Sequence, residues 1–247
     1  MVVIHRSVAP TITCIDATKK IDMKVDFDKM ITALQTYVDG CLATVWRTPA
    51  KLAKASKPQA DTWTLIFYDD ATALRFVGFE AYHELTHKDL PIARVFVKTT
   101  LDNNDEVSVA ASHELAEMLI DPASAIWAVG PDGAEFAYEI CDAVENETFE
   151  IDGISMSDFV FPTYFDLFHK PKSIHFDYLE KVDRPFQILR GGYSLLRDGS
   201  KLINKFGSIT KERKFEKEDR TGHRSEFRRA MLRQKPRNTA KLRAHPK

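Results

Sequence analysis

A chain of 247 residues, 44% hydrophobic and 29% charged, has enough apolar material for one sizeable core with appendages. No apolar run approaches the ~20 residues of a membrane span, and Met1-Val2-Val3-Ile4-His5-Arg6 lacks the apolar stretch of a secretory signal, so neither a membrane partner nor export is expected. The net charge of −1 hides a division: residues 211–247 hold 14 of the 35 basic and 5 of the 36 acidic side chains, leaving 21 basic and 31 acidic on an acidic body.

Apolar residues recur with helical spacing from Phe27 to Trp46, and Asp26 stands where a cap is expected. Lys51 to Asp61 is polar, contains Pro58 and is expected to be a loop. Trp63-Thr64-Leu65-Ile66-Phe67-Tyr68 and Ile92-Ala93-Arg94-Val95-Phe96-Val97-Lys98 have the composition of strands, and Leu101 to Asp105 that of a turn. A helix is predicted from about Glu106 to Ile120, stopped by Pro122. Thr148 to Met156 has the pattern of a hairpin around Asp152-Gly153. Arg190-Gly191-Gly192-Tyr193 and Asp198-Gly199 punctuate an irregular stretch. Beyond Lys211 apolar residues are too sparse for a packed core, although a helix over Glu216 to Arg233 is compatible with the pattern. Cys14, Cys41 and Cys141 are too scattered for a disulfide framework and are expected as buried thiols of a protein made in the cytosol.

The helix at 106–120 carries the chemistry. At about 100° per residue, His113, Glu114, Glu117 and Asp121 share one arc, while Val107, Ala111, Leu115, Met118 and Leu119 fill another that faces a core. His113 and Glu117, one turn apart, have the spacing that offers two ligands to one metal ion, and Glu114 beside them is placed to take a proton from water. This is the logic of the His-Glu-x-x-His zinc helix with a glutamate as second ligand. Four such groups with one possible cation among them form a costly cluster unless a metal or protons neutralise it.

The literal His-Glu-x-x-His string lies elsewhere, at His83-Glu84-Leu85-Thr86-His87. Gly78 and Pro91 leave it barely two turns, and it falls in the connection between two strands, so the helix at 106–120 is the better candidate. Cooperation between the two, with Glu114 or Glu117 serving His83 and His87, stays open. The third ligand is expected at Glu139, with Asp142 orienting His113. Asp121 and Cys141 are the alternatives. Zinc fits this set, and its carboxylates also suit calcium or manganese.

Ser112-His113-Glu114-Leu115-x-Glu117-Met118-Leu119-x-Asp121-Pro122, followed by Trp127, by Glu139-Ile140-Cys141-Asp142 and by Ser157-Asp158-Phe159-Val160 with Pro162 and Tyr164-Phe165, resembles a family of zincin-like proteins of tailed phages and bacteria that are labelled metallopeptidases or virion structural proteins. The resemblance covers roughly residues 1–168. It implies an α+β fold with a mixed sheet and a metal-binding helix; beyond it, the chain's own composition predicts an irregular extension over 169–210 and a basic tail over 211–247.

Two functions follow from it. The first is zinc-dependent peptide hydrolysis, with His113, Glu117 and Glu139 holding the metal, Glu114 as base and substrate antiparallel to the strand at 92–98. The second is a non-catalytic capsid, neck or tail component, made in the bacterial host cytoplasm and assembled with other virion proteins, oligomeric within the particle. Its tail residues Arg213, Lys214, Lys217, Arg220, Arg224, Arg228, Arg229 and Arg233 would touch acidic neighbours or packaged DNA.

Overall fold

Short apolar runs in the first hundred residues assemble into one mixed sheet in the computed structural model, which describes residues 8–70, 80–199 and 201–218. Strands β1 (Thr11–Asp16), β2 (Lys51–Lys54), β3 (Trp63–Tyr68) and β5 (Pro91–Phe96) run parallel, and β4 (Ala81–Leu85) pairs antiparallel with β5, in the order β2-β1-β3-β5-β4. Period two along the strands sends Ile12, Cys14, Leu65, Phe67, Ala81, Ala93 and Val95 into the main core, and Ile15, Ile66 and Ile92 to the opposite face.

Helix α1 (Phe27–Thr36) links β1 to β2. Its predicted cap is present, with Lys29 N donating to Asp26 Oδ1 at 2.8 Å. It runs through a π-helical turn, Tyr37–Leu42, into α2 (Ala43–Trp46), which Arg47 ends in the left-handed conformation. The apolar end of β5 passes directly into α3 (Val97–Asp102), and α4 (Val107–Ile120) follows. Twelve of the fourteen residues of α4 are buried, including Glu114 and Glu117, so its polar side is not a solvated face. The sheet covers α4 on one side. The hairpin of β8 (Thr148–Ile151) and β9 (Ile154–Ser157) covers it on the other, tied by Ser157 N donating to Ser112 Oγ at 2.8 Å. Asp152 (φ 52°) and Gly153 (φ 74°) make the predicted hairpin turn with both central residues at positive φ.

A second sheet, β11-β10-β7-β6, joins β6 (Trp127–Val129), β7 (Glu135–Ala137), β10 (Tyr193–Asp198) and β11 (Lys201–Phe206). The fold is α+β. Among the described residues, no helix is long and apolar enough to cross a membrane, and all three cysteines are free and buried.

Several expected boundaries move. The loop expected over 51–61 begins with β2, a short polar edge strand whose register is set by β1 rather than by its own pattern. The His83 segment is not a connection but the strand β4. Val97 and Lys98 begin a helix, and that helix reaches Asp102, inside the expected turn. The stretch 169–210 is not irregular throughout: β10 pairs with both β11 and β7, and Phe176, Val182 and Phe186 belong to the same core as the first 168 residues.

The last described helix, α5 (Ile209–Glu218), is anchored through Lys211. Its side chain is 4% exposed, and its ammonium pairs with Glu145 and lies 5.6 Å from the Tyr193 ring centroid. Removing one partner of a buried ion pair costs about 3–5 kcal/mol, somewhat less here because Glu145 is partly solvated. Lys211→Ala is therefore expected to lower the thermal midpoint by roughly 5–10 °C. A midpoint unchanged in a thermal scan would show that α5 is not fastened by this pair. Arg213 is exposed on α5, and Lys214 and Lys217 lie on the same helix with side chains outside the described residues. Arg220, Arg224, Arg228, Arg229 and Arg233, with most of the helix considered over Glu216 to Arg233, also lie outside the described residues.

Candidate metal centre

Two histidines reach the buried polar side of α4 from different elements. His113 belongs to α4 itself. His83 comes from β4, on the face it shares with Ala81, and its Nδ1 lies 3.0 Å from Glu114 Oε2 and 4.0 Å from Glu117 Oε2. His113 Nε2 lies 3.4 Å from Glu117 Oε1 and 3.3 Å from Asp142 Oδ1. The result is two groups, His83/Glu114/Glu117 and His113/Glu117/Asp142, each with donor atoms within 4.8 Å of one another. Glu117 is common to both. The buried His83/Glu114/Glu117 group could hold a metal ion.

The loop after α4 supports this arrangement. Asp121 accepts from Ala125 N with both carboxylate oxygens (2.9 and 2.8 Å) and from Ile126 N at 2.7 Å, so it shapes the loop rather than joining either group. Its carbonyl accepts from Ser124 N and faces His83 Nε2 at 3.1 Å. Ser124, at φ 46° in the left-handed region, brings its Oγ to 2.7 Å from the same nitrogen.

The chain Ser124–His83–Glu114 has the connectivity of a hydrolase relay, but two facts exclude a nucleophilic serine. A carbonyl only accepts, so Asp121 O requires the proton on Nε2, where a serine-activating imidazole needs a lone pair. Ser124 is also 1% exposed.

Four carboxylates, Glu114, Glu117, Glu139 and Asp142, converge on two imidazoles, and none of these side chains is more than 15% exposed. Burial opposes a charge on His83, but the hydrogen bond to Glu114 and the charges of Glu139, Glu114 and Glu117 outweigh it and lift its pKa to about 10. Burial likewise opposes a charge on His113, and Glu117 leads the groups that raise its pKa. Glu117 is held below its ordinary range: burial works against ionisation, and the charges of His113 and His83 overcome it. Burial and the charge of Glu117 push Asp142 up to about 7. Even with both imidazoles protonated, four ionised carboxylates would leave two negative charges in excess. Each uncompensated buried charge costs several kcal/mol, so a divalent cation or bound protons must balance them.

The expected site residues therefore divide. His113, Glu117 and Asp142 come together, with Glu117 Oε1 and Asp142 Oδ1 both approaching His113 Nε2. Glu139, the expected third ligand, has its Oε2 4.0 Å from His83 Nε2 and belongs to neither group. Glu114 is bonded to His83. Cys141 directs its Sγ to His113 O at 3.8 Å, its N donates to Glu117 Oε1 at 3.1 Å, and burial pushes its thiol pKa well up. His87 is exposed in the turn after β4, outside both groups. The residue underrated from sequence is His83. The signal that finds it is period two: in a strand, His83 and Glu84 point to opposite faces, and Glu84 pairs with Arg94 of β5 at 2.8 Å. Protein-family models, curated proteins and solved structures contain no match to this chain.

Proposed function

We propose that this chain is a zincin-like, metal-dependent peptide hydrolase of a phage particle, with one zinc ion held by His113 Nε2, Glu117 Oε1 and Asp142 Oδ1. The observation that carries the reading is a pair of distances. Ligands about 2.0–2.1 Å from a tetrahedral zinc stand about 3.3–3.4 Å apart, and His113 Nε2 lies 3.4 and 3.3 Å from its two carboxylate partners. The sheet order β2-β1-β3-β5-β4, with an antiparallel edge strand and a buried helix following β5, supports the zincin-like part. The phage setting rests on the motif resemblance.

When bound, the zinc supplies Lewis acidity. The chain's own residues do the rest. Glu114 Oε2 accepts from His83 Nδ1 at 3.0 Å, which orients the carboxylate so that its other oxygen takes a proton from water and returns it to a leaving amine. Substrate cannot pair with β5 as expected from sequence, because β3 and β4 occupy both its edges. Among the described residues β4 has a neighbour on one side only, so an extended peptide would add there, next to His83.

The test pairs zinc analysis of the full chain with Glu114→Gln. The variant is expected to keep the His113 zinc while peptide hydrolysis falls about 10²–10⁴-fold. Equal turnover by variant and parent would remove Glu114 from the mechanism, and a zinc-free parent after exposure to zinc would remove the site.

A second reading rests on the closure of the same centre. Structural metal sites are closed and catalytic ones keep an open position. Here His113, the most accessible of these side chains, is only 15% exposed. On that reading the ion stiffens a non-catalytic virion component, and the basic tail supplies contacts to virion proteins or packaged DNA. A chain that binds zinc, loses thermal stability on chelation and hydrolyses no peptide would favour it.

A further inference from the structure

We propose that the chain carries a second divalent-ion position, at His83 Nδ1, Glu114 Oε2 and Glu117 Oε2, sharing the Glu117 carboxylate with the first. The inference builds on the zinc position proposed above, and two independent features lead to it.

The two oxygens of Glu117 are already divided: Oε1 faces His113 and Oε2 faces His83. A carboxylate presented in this way spans two ions about 3.5–4 Å apart, the separation found in two-metal hydrolytic sites.

His83 is oriented to ligate through Nδ1 once that nitrogen gives up its proton. The Asp121 carbonyl, 3.1 Å away, and Ser124 Oγ, 2.7 Å away, hold the proton on Nε2 and leave Nδ1 directed at the two glutamates. A carbonyl acting on the far ring nitrogen in this way is the usual outer support of a metal-binding histidine. The separations from Nδ1 are 3.0 and 4.0 Å. Around a six-coordinate ion with ~2.1 Å bonds, adjacent ligands stand about 3.0 Å apart and opposite ones about 4.2 Å, so this position suits manganese as well as zinc.

The consequence is regulatory. An ion at His83 Nδ1 also engages the Glu114 carboxylate and lowers its basicity, so filling this position weakens Glu114 in proton transfer.

Native mass spectrometry of the full chain, titrated with zinc or with manganese, counts the ions directly. Two per chain are expected in the parent and one in His83→Gln, with affinity for the second ion weakened about 100-fold or more. The manganese-loaded parent should give the electron paramagnetic resonance signal of a coupled pair, a readout that needs no variant to fold. One ion per chain that is lost in His113→Ala and kept in His83→Gln, with an uncoupled signal, would overturn the second position and leave the first standing. No bound ion would overturn both. A single ion lost in His83→Gln and kept in His113→Ala would refute the shared centre and the His113 zinc together.

Discussion

Glu117→Gln is expected to weaken metal binding about 100-fold and to lower the thermal midpoint by roughly 10 °C. The side chain it alters is the one counter-charge common to two buried imidazoles, 3.4 Å from His113 Nε2 through Oε1 and 4.0 Å from His83 Nδ1 through Oε2, and Oε1 also accepts from Cys141 N at 3.1 Å. An amide keeps the shape but loses the charge and places an N–H against at least one of these partners. Breaking one buried ion pair costs about 3–5 kcal/mol, and for a chain of this size each kcal/mol moves the midpoint by about 2–4 °C. Metal binding suffers separately. A zinc site worth about 10–16 kcal/mol over four ligands loses on the order of 3 kcal/mol with one of them, two decades of affinity. Metal analysis after dialysis and a thermal scan check the two effects. A variant with the parent's midpoint and metal content would show that Glu117 is a bystander in its own cluster.

Helix α4 was legible in the sequence because it is long, periodic and punctuated: Glu106 precedes it, Pro122 follows it, and one side pairs charged groups with an otherwise apolar cylinder. Strands β1 and β2 were not. Thr11–Asp16 mixes threonines with two isoleucines and a cysteine, and Lys51–Lys54 is half lysine, so only pairing with neighbours reveals them. The centre was half visible for a related reason. Spacing along one helix exposes His113, Glu114 and Glu117, but which carboxylate approaches His113 depends on the path of residues 127–142, and that path follows the β6–β7 hairpin and the loop after it. His83 was obscured by a helical motif written on a strand. Two histidines four apart share a side of a helix, yet here one is buried beside α4 and the other lies in the turn that closes the β4–β5 hairpin.

Asp158→Asn is expected to stabilise the fold at neutral and alkaline pH, by roughly 3 kcal/mol or about 5–10 °C at pH 8, and to change little near pH 4. Asp158 and Asp177 are both fully buried and belong to the segment that crosses beside Tyr37 and α4. Asp158 Oδ1 accepts from Phe159 N and Leu179 N, and Asp177 spends its two oxygens on Val182 N and Lys181 N. Asp158 Oδ2, buried with no donor in reach among the described residues, faces the Asp177 carboxyl, so a hydrogen bond between them needs a proton. Burial first, and the charge of Asp177 second, push Asp158 up to about 8. An aspartate in the unfolded chain titrates near ~3.9. The folded state therefore keeps a proton that the unfolded state releases. This contribution to stability is complete below about pH 4, declines as pH rises, and is gone above about 8. Asparagine supplies the donor permanently while its oxygen keeps the two backbone bonds, so the pH-dependent loss disappears. Asp177→Asn is the informative opposite, because an amide there sets an N–H against a backbone N–H of Lys181 or Val182 and destabilises at every pH. Thermal scans from pH 4 to 9 distinguish the cases, and an Asp158→Asn curve running parallel to the parent's over that range would mean that no proton is held between the two carboxyls.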